Sequence, residues 1–146
     1  MAEHDAHAPV GRVDRTVLLS SKQRLDTAEY IHTTTLSLKH GKPTLTATFV
    51  IDYFPPAVTE AYYDIRWYTS GDFELHYREN WTDDRGWQRR WDRHPQDGPR
   101  THYHPPPDAG NPPEPAELPA SYYDVLRHVD EQTFSHITAH PLVETD

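Results

Sequence analysis

The chain has 146 residues, of which 35% are hydrophobic, 25% are charged and 12% are aromatic. This length allows one domain with a single modest core, and the aromatic content argues against a wholly disordered chain. The absence of cysteine excludes a disulfide framework and a thiolate site, and no apolar run approaches the ~18 residues of a membrane span. The first residues lack the apolar segment of a signal peptide, so we expect a cytoplasmic protein.

The formal net charge is −9, and the only lysines are Lys22, Lys39 and Lys42. An acidic surface keeps proteins soluble at high salt, so this balance is consistent with a haloarchaeal cytoplasm. The alternative explanation is a GC-rich genome, because such a genome favours arginine codons.

The chain begins with small and polar residues, and we expect residues 1–11 to form a disordered tail. A single domain is expected over residues 12–140. Its first apolar run, RTVLLSS, predicts either a strand or a turn of helix.

Two segments rich in β-branched and aromatic residues follow, AEYIHTTTLSL and PTLTATFVIDYF. This composition favours strands, and the glycine of the intervening KHGK suits a tight hairpin turn. The resulting hairpin places Leu36 opposite Leu45 and His32 opposite Phe49.

The next three strands can be given a register. A three-residue loop containing Gly71 joins YYDIRWYT to FELHYRENW. The following TDDRG turn, taken as a five-residue loop, pairs Trp81 with Trp87 and Tyr77 with Trp91. One face of this sheet then carries the aromatic and aliphatic side chains Tyr63, Ile65, Trp67, Phe73, Leu75 and Tyr77.

The opposite face of the same strands is polar, because side chains alternate between the two faces of a strand. We call it the polar face. It carries eight charged or titratable side chains: Asp64, Arg66, Glu74, His76, Arg78, Arg90, Asp92 and His94.

Nine of the residues in the segment 95–119 are prolines. Proline is excluded from central strands and helix interiors, so we expect an ordered loop that closes over the polar face. The elements together predict the α+β class: an antiparallel, twisted sheet of five or six strands with a C-terminal helix packed on one face.

That helix is predicted for ASYYDVLRHVDEQTFSHI, with Ser121 as its N-cap and Asp124 in its first turn. We expect His128 and His136 to face solvent or to flank its apolar stripe, and His140 to lie in a frayed end. The stripe consists of Tyr122, Val125, Leu126, Val129, Thr133 and Ile137.

The chemistry is concentrated around HYH, where His102 and His104 point the same way in an extended chain. Both imidazoles can then meet one ligand, which could be a proton in transit, a phosphate or a metal. The alternative is a histidine-rich loop whose rings only form hydrogen bonds to the backbone. A zinc site would use His94, His102 and His104.

Five arginines in residues 85–104 favour a phosphate-bearing partner, although cross-strand pairing such as Glu79 with Arg89 is the structural alternative.

Histidine with arginine is sufficient for a metal-independent ribonuclease, which needs a general base, a general acid and a cation for the phosphorane charge. In this interpretation the catalytic residues are His76, Asp92, His102 and His104. The substrate-binding residues are Arg66, Arg78, Arg90, Trp91 and Tyr103, because aromatic rings stack unpaired bases.

The segments RWDRHP (residues 90–95) and RTHYHP (residues 100–105) resemble the signature of the TumE-like toxins of toxin–antitoxin pairs. That signature reads approximately Arg-Tyr-Asp-Asn, Pro-His-His and later Pro-His-His-Lys-His. Four of its positions are matched here, by Arg90, Asp92, His102 and His104. Trp91, Arg93 and Tyr103 replace its tyrosine, asparagine and lysine, and the first histidine pair is reduced to His94.

The resemblance covers roughly residues 62–137. It implies a growth-inhibiting toxin that acts on RNA and is neutralised by a small antitoxin. Two alternatives remain open from the residues: a histidine-rich metal-binding protein or metal-dependent hydrolase, and a non-enzymatic interaction module. An edge strand would also allow pairing with a second copy.

Overall fold

The computed structural model describes residues 8–95, 99–110 and 112–143. It has seven antiparallel strands in chain order with two α-helices, so the predicted α+β class is confirmed with one strand more than expected. The elements are α1 Arg15–Asp26, β1 Ile31–Lys39, β2 Lys42–Phe49, a 3₁₀-helix Ile51–Tyr53, β3 Val58–Trp67, β4 Phe73–Trp81, β5 Trp87–Arg93, β6 Thr101–His104, β7 Glu114–Pro115 and α2 Tyr122–Thr138. Neither α1 nor α2 is long and apolar enough to cross a membrane.

The first apolar run forms α1, so the helical alternative holds for RTVLLSS. Asp14 caps the helix, its carboxylate accepting a hydrogen bond from the Val17 amide at 3.2 Å. The buried positions Leu18, Ser21 and Leu25 are three and four residues apart and therefore share one helical face. Within the predicted tail, residues 1–7 lie outside the described residues, whereas the Val10 amide donates to an Asp72 carboxylate oxygen at 2.9 Å.

The β1–β2 hairpin has Leu36 opposite Leu45, as predicted. The predicted pairing of His32 with Phe49 is wrong, since Phe49 lies opposite Ile31. A register shift between Ile31 and Thr33 adds one residue to β1 and causes this difference.

The β3–β4 hairpin has the predicted faces, with Ile65 opposite Leu75 and Tyr63 opposite Tyr77. The predicted loop, SGD at residues 70–72, is one residue too far along the chain. The three-residue loop spans residues 69–71, since the Tyr68 amide donates to the Asp72 carbonyl at 2.8 Å. Gly71 has a φ of +92°, which suits the last position of such a loop.

The predicted β4–β5 register is wrong by two residues. Trp87 lies opposite Glu79, and Trp91 lies opposite Leu75. The loop is longer than predicted because Trp81, at the end of β4, pairs with Val58 of β3 instead of with β5. A shift of two residues leaves every side chain on its predicted face.

The proline-rich segment is ordered along the end of the sheet wherever the structure describes it. The Gln88 amide donates to the Pro107 carbonyl at 2.8 Å, and the Arg93 guanidinium donates to the carbonyls of Leu118 and Pro119 at 3.1 and 2.7 Å. The expectation that this segment contains no central strand is wrong, because β6 lies between β5 and β7. The four residues of β6 contain no proline, which makes this pairing available.

Both helices pack on the apolar face of the sheet. Four residues of the predicted α2 stripe are buried: Val125, Leu126, Val129 and Thr133. The hydroxyl of buried Tyr63 on β3 donates to Asp130 at 2.7 Å, which ties α2 to the centre of the sheet. Burial raises the pKa of Asp130, although hydrogen bonds from Tyr30 and Tyr63 oppose this effect.

Ser121 is the N-cap of α2, its hydroxyl accepting a hydrogen bond from the Asp124 amide at 3.2 Å. Replacing Ser121 with alanine should lower the free energy of unfolding by about 1 kcal/mol, because an amide at the helix N-terminus loses its acceptor. Urea denaturation measures this change. Ser135→Ala, at an exposed position inside the same helix, is the control and should be neutral or slightly stabilising. Equal stability of the two variants would contradict the capping role.

Candidate functional site

The polar face aligns titratable side chains from four neighbouring strands. One cross-strand row contains Asp64, His76, Arg90 and His104, and the next contains Arg66, Glu74, Asp92 and His102. Neighbouring strands are ~4.8 Å apart, so each row brings together residues that are distant in the sequence. Since both helices pack on the other face, neither covers these rows.

Three residues form the centre of this face: Arg90, Asp92 and His104, hereafter the acid–base cluster. Nε2 of His104 lies 2.9 Å from Oδ2 of Asp92, and Nε of Arg90 lies 3.2 Å from the same oxygen. Nη2 of Arg90 lies 3.3 and 3.5 Å from the two ring nitrogens of His104. One buried carboxylate therefore holds a cation and an imidazole together.

Asp92 is only 3% exposed. Burial alone would raise its pKa, but the hydrogen bond with His104 and the charges of His104, Arg90 and His94 lower the pKa overall. Oδ1 has no hydrogen-bond partner among the described residues and lies 3.6 Å from Nε2 of His94. The ionised carboxylate is thus positioned to orient imidazoles around it.

The two ring nitrogens of His104 have different hydrogen-bonding roles. When Nε2 donates to Asp92, Nδ1 is left as an acceptor on the neutral ring. The side chains of His104 and Arg90 retain 13% and 38% exposure. A proton donor reaching this face can therefore approach the acid–base cluster.

The other predicted polar residues flank the cluster. His76 lies beside Arg90 in the same row, and its Nε2 is 2.6 Å from the Gln88 side-chain oxygen. Burial is the largest influence on His76 and lowers its pKa, which favours a neutral imidazole. Nε of Arg66 donates a hydrogen bond to the Thr44 hydroxyl, whereas Arg78 is exposed at the margin of the face.

The structure does not bring Trp91 and Tyr103 together with these histidines. Both belong to strand positions that face the helices, and Trp91 is only 3% exposed. Their rings pack together at a centroid distance of 5.4 Å. These two side chains therefore cannot stack on substrate bases at the polar face, because alternation along the strand directs them to the other side of the sheet.

The donors of the predicted zinc set lie near each other without forming a compact group. The rings of His94 and His102 are stacked with centroids 6.4 Å apart, while His104 is bound to Asp92. Among the described residues, the three metal-binding side chains whose donor atoms all lie within 4.8 Å of one another are Glu79, His136 and His140, on the helix side of the sheet.

The sequence does not predict this second cluster, because it indicates that His136 faces solvent or flanks the helix stripe and that His140 lies in a frayed end. Glu79 is fully buried, and its two oxygens lie 2.6 Å from His136 and 2.7 Å from His140. Tyr77 and Trp81 donate to the same carboxylate at 2.5 and 2.8 Å. The sequence does contain one indication of this cluster, because Glu79 is two residues from both Tyr77 and Trp81 and therefore lies on the apolar face.

Hydrogen bonding accounts for this cluster better than metal binding does. The Leu142 amide donates to Nδ1 of His140 at 3.1 Å, so Nε2 of the neutral ring carries the proton that faces Glu79. Burial would raise the pKa of Glu79, but its hydrogen bonds to His136, Tyr77 and Trp81 lower the pKa to about 2. The suggested pairing of Glu79 with Arg89 is replaced by these contacts, and Arg89 lies 5.2 Å from the Trp87 ring centre.

Comparison with known proteins supports the resemblance to the TumE-like toxins. No curated protein and no solved structure matches the chain. The family model described as toxin TumE matches residues 14–133. This match includes the whole sheet and extends the resemblance from residues 62–137 to the N-terminal helix and hairpin. The chain therefore belongs to the TumE toxin family.

Proposed function

We propose that this toxin acts as a metal-independent ribonuclease whose chemistry takes place on the polar face. The observation that supports the proposal is the acid–base cluster, in which the buried carboxylate of Asp92 holds the imidazole of His104 at 2.9 Å beside the guanidinium of Arg90. A proton acceptor, a group that orients it and a cation for phosphate are thus contained within one pair of neighbouring strands.

In the proposed reaction, Nδ1 of His104 takes the proton from the ribose 2′-hydroxyl. The 2′-oxygen then forms a bond to phosphorus, and the bond from phosphorus to the 5′-oxygen breaks. His102, opposite Asp92 on the neighbouring strand, gives a proton to the leaving 5′-oxygen. Arg90 stabilises the additional negative charge on the phosphorane. The products are a 2′,3′-cyclic phosphate and a free 5′-hydroxyl.

Membership of a toxin family implies an antitoxin partner. We propose that this partner inhibits the toxin by covering the polar face. Because neither helix covers this face, the partner can bind there without unfolding the toxin or displacing a helix.

The proposal predicts that the purified chain, free of any partner, cleaves single-stranded RNA in the presence of EDTA. End-labelled RNA resolved by electrophoresis measures the rate. The 5′ fragment should end in a 2′,3′-cyclic phosphate, and the 3′ fragment should begin with a free 5′-hydroxyl. Loss of cleavage on chelation would contradict the metal-independent reaction. Cleavage of a substrate that has a 2′-deoxyribose at the scissile position would contradict attack by the 2′-oxygen.

A further inference from the structure

A polar depression lies beside the acid–base cluster on the same face of the sheet. It encloses about 190 Å³ and shares Arg90 with the cluster. Its lining comes from β1–β5 and the β1–β2 turn, through Lys39, His40, Thr44, Asp64, Arg66, Glu74, His76 and Arg90. A group bound here would contact the strand next to the proposed reaction centre.

The charges in this depression are paired with one another. Nζ of Lys39 lies 2.9 Å from Asp64, and Nη1 of Arg66 lies 3.6 Å from Glu74. Arg90, at the edge, is paired with Asp92 of the acid–base cluster. Because these cations are already balanced, the depression suits a neutral group with several hydrogen bonds better than it suits another phosphate.

Glu74 provides the acceptor of this depression. It lies opposite Asp92 on the neighbouring strand, and like charges directly opposite are unfavourable in a sheet. Its Oε1 accepts a hydrogen bond from the Tyr68 hydroxyl at 3.1 Å, whereas no described residue donates to Oε2. The side chain is 34% exposed. On its other side Glu74 lies opposite Arg66 of β3, which is paired with Oε1, so Oε2 is the oxygen that a ligand can reach.

We propose that this depression binds a guanine base of the RNA, next to the phosphate that is cleaved. Guanine presents two adjacent N–H donors on its Watson–Crick edge, which a carboxylate can accept, together with a carbonyl that Lys39 or Arg66 can bind. Uracil offers a single N–H between two carbonyls, and cytosine and adenine place a ring acceptor beside their amino group. The position of this subsite rests on the proposed ribonuclease function, but its base preference can be measured separately.

Calorimetric titration of the whole chain with guanosine 3′-monophosphate and uridine 3′-monophosphate tests the base preference. We expect about tenfold tighter binding of the guanosine nucleotide by the wild-type protein, from the contacts to the base edge. Glu74→Gln should remove that preference, because its amide cannot accept both N–H donors. The control is Glu60→Gln. Glu60 is an exposed glutamate near the start of β3, so this variant should retain the preference.

Equal affinity for the two nucleotides, absence of binding, or an unchanged preference in Glu74→Gln would each overturn this assignment. Thermal unfolding of both variants checks that they are folded before titration. The test remains informative if the protein cleaves no RNA, because it measures binding. Conversely, RNA cleavage without any base preference would overturn the guanine subsite and leave the ribonuclease proposal intact.

Discussion

Replacing His104 with glutamine is expected to slow RNA cleavage by about 10²- to 10⁴-fold and to abolish growth arrest, because the variant lacks a general base. The glutamine amide can still donate a hydrogen bond to Asp92, as Nε2 of His104 does at 2.9 Å. It cannot take up and release a proton at neutral pH. The substitution therefore separates proton transfer from the structural role of the side chain.

The measurement is the single-turnover rate on end-labelled RNA, combined with growth after induction of the toxin alone. His32→Gln is the matched control, because His32 is an exposed histidine on β1 that lies outside the acid–base cluster. The control should behave as the wild type does. A His104→Gln variant that cleaves RNA at the wild-type rate would show that His104 is not the base.

Replacing Glu79 with glutamine should lower the free energy of unfolding by about 3 kcal/mol or more, since it breaks a buried, hydrogen-bonded charge network. The carboxylate accepts hydrogen bonds from Tyr77 and Trp81 and lies within 2.7 Å of both His136 and His140. The amide replaces one acceptor oxygen by a donor, so at least two donors would face it without a partner. Urea denaturation measures the loss, and Glu131→Gln, at an exposed position of α2, is the control.

The same carboxylate should make stability depend on pH. The pKa of Glu79 falls from 4.5 to about 2 in the folded protein. Since the folded-state value is depressed, the contribution is fully present above pH 4.5 and is lost as the pH falls towards 2. It amounts to roughly 3 kcal/mol, because each pKa unit corresponds to about 1.4 kcal/mol. The wild-type protein should therefore lose its stability advantage over Glu79→Gln in acid, and a constant difference from pH 7 to pH 2 would contradict this assignment.

Much of the sheet follows from local patterns in the sequence. Strict alternation of apolar and polar residues assigned Ile65 and Leu75 to one face and Arg66 and Glu74 to the other. The predicted faces of β5 remain correct despite the error in the β4–β5 loop, because the pairing shifted by two residues and not by one. Alternation also placed His102 and His104 on one side of their strand, although their pairing with Asp92 and Arg90 required the structure.

The unpredicted features depend on contacts between elements that are distant in the chain. The second histidine cluster forms because α2 crosses the sheet where Glu79 faces inward, and no local pattern specifies that crossing. Trp91 was assigned to substrate although alternation already directed it towards the helices. An aromatic residue beside catalytic candidates in sequence lies behind them in a strand, and the buried position of Trp91 follows from that geometry.

The most direct test of the proposed site is the NMR spectrum of the histidine imidazoles on addition of a short RNA, and separately of zinc. The RNA should carry a 2′-deoxy linkage at the scissile position, which prevents its cleavage. The account predicts that the signals of His102 and His104 move with the RNA, while that of exposed His32 does not. It also predicts that zinc leaves the pairing of His104 with Asp92 in place. Signals that respond to zinc alone, or to neither ligand, would contradict an acid–base site on the polar face.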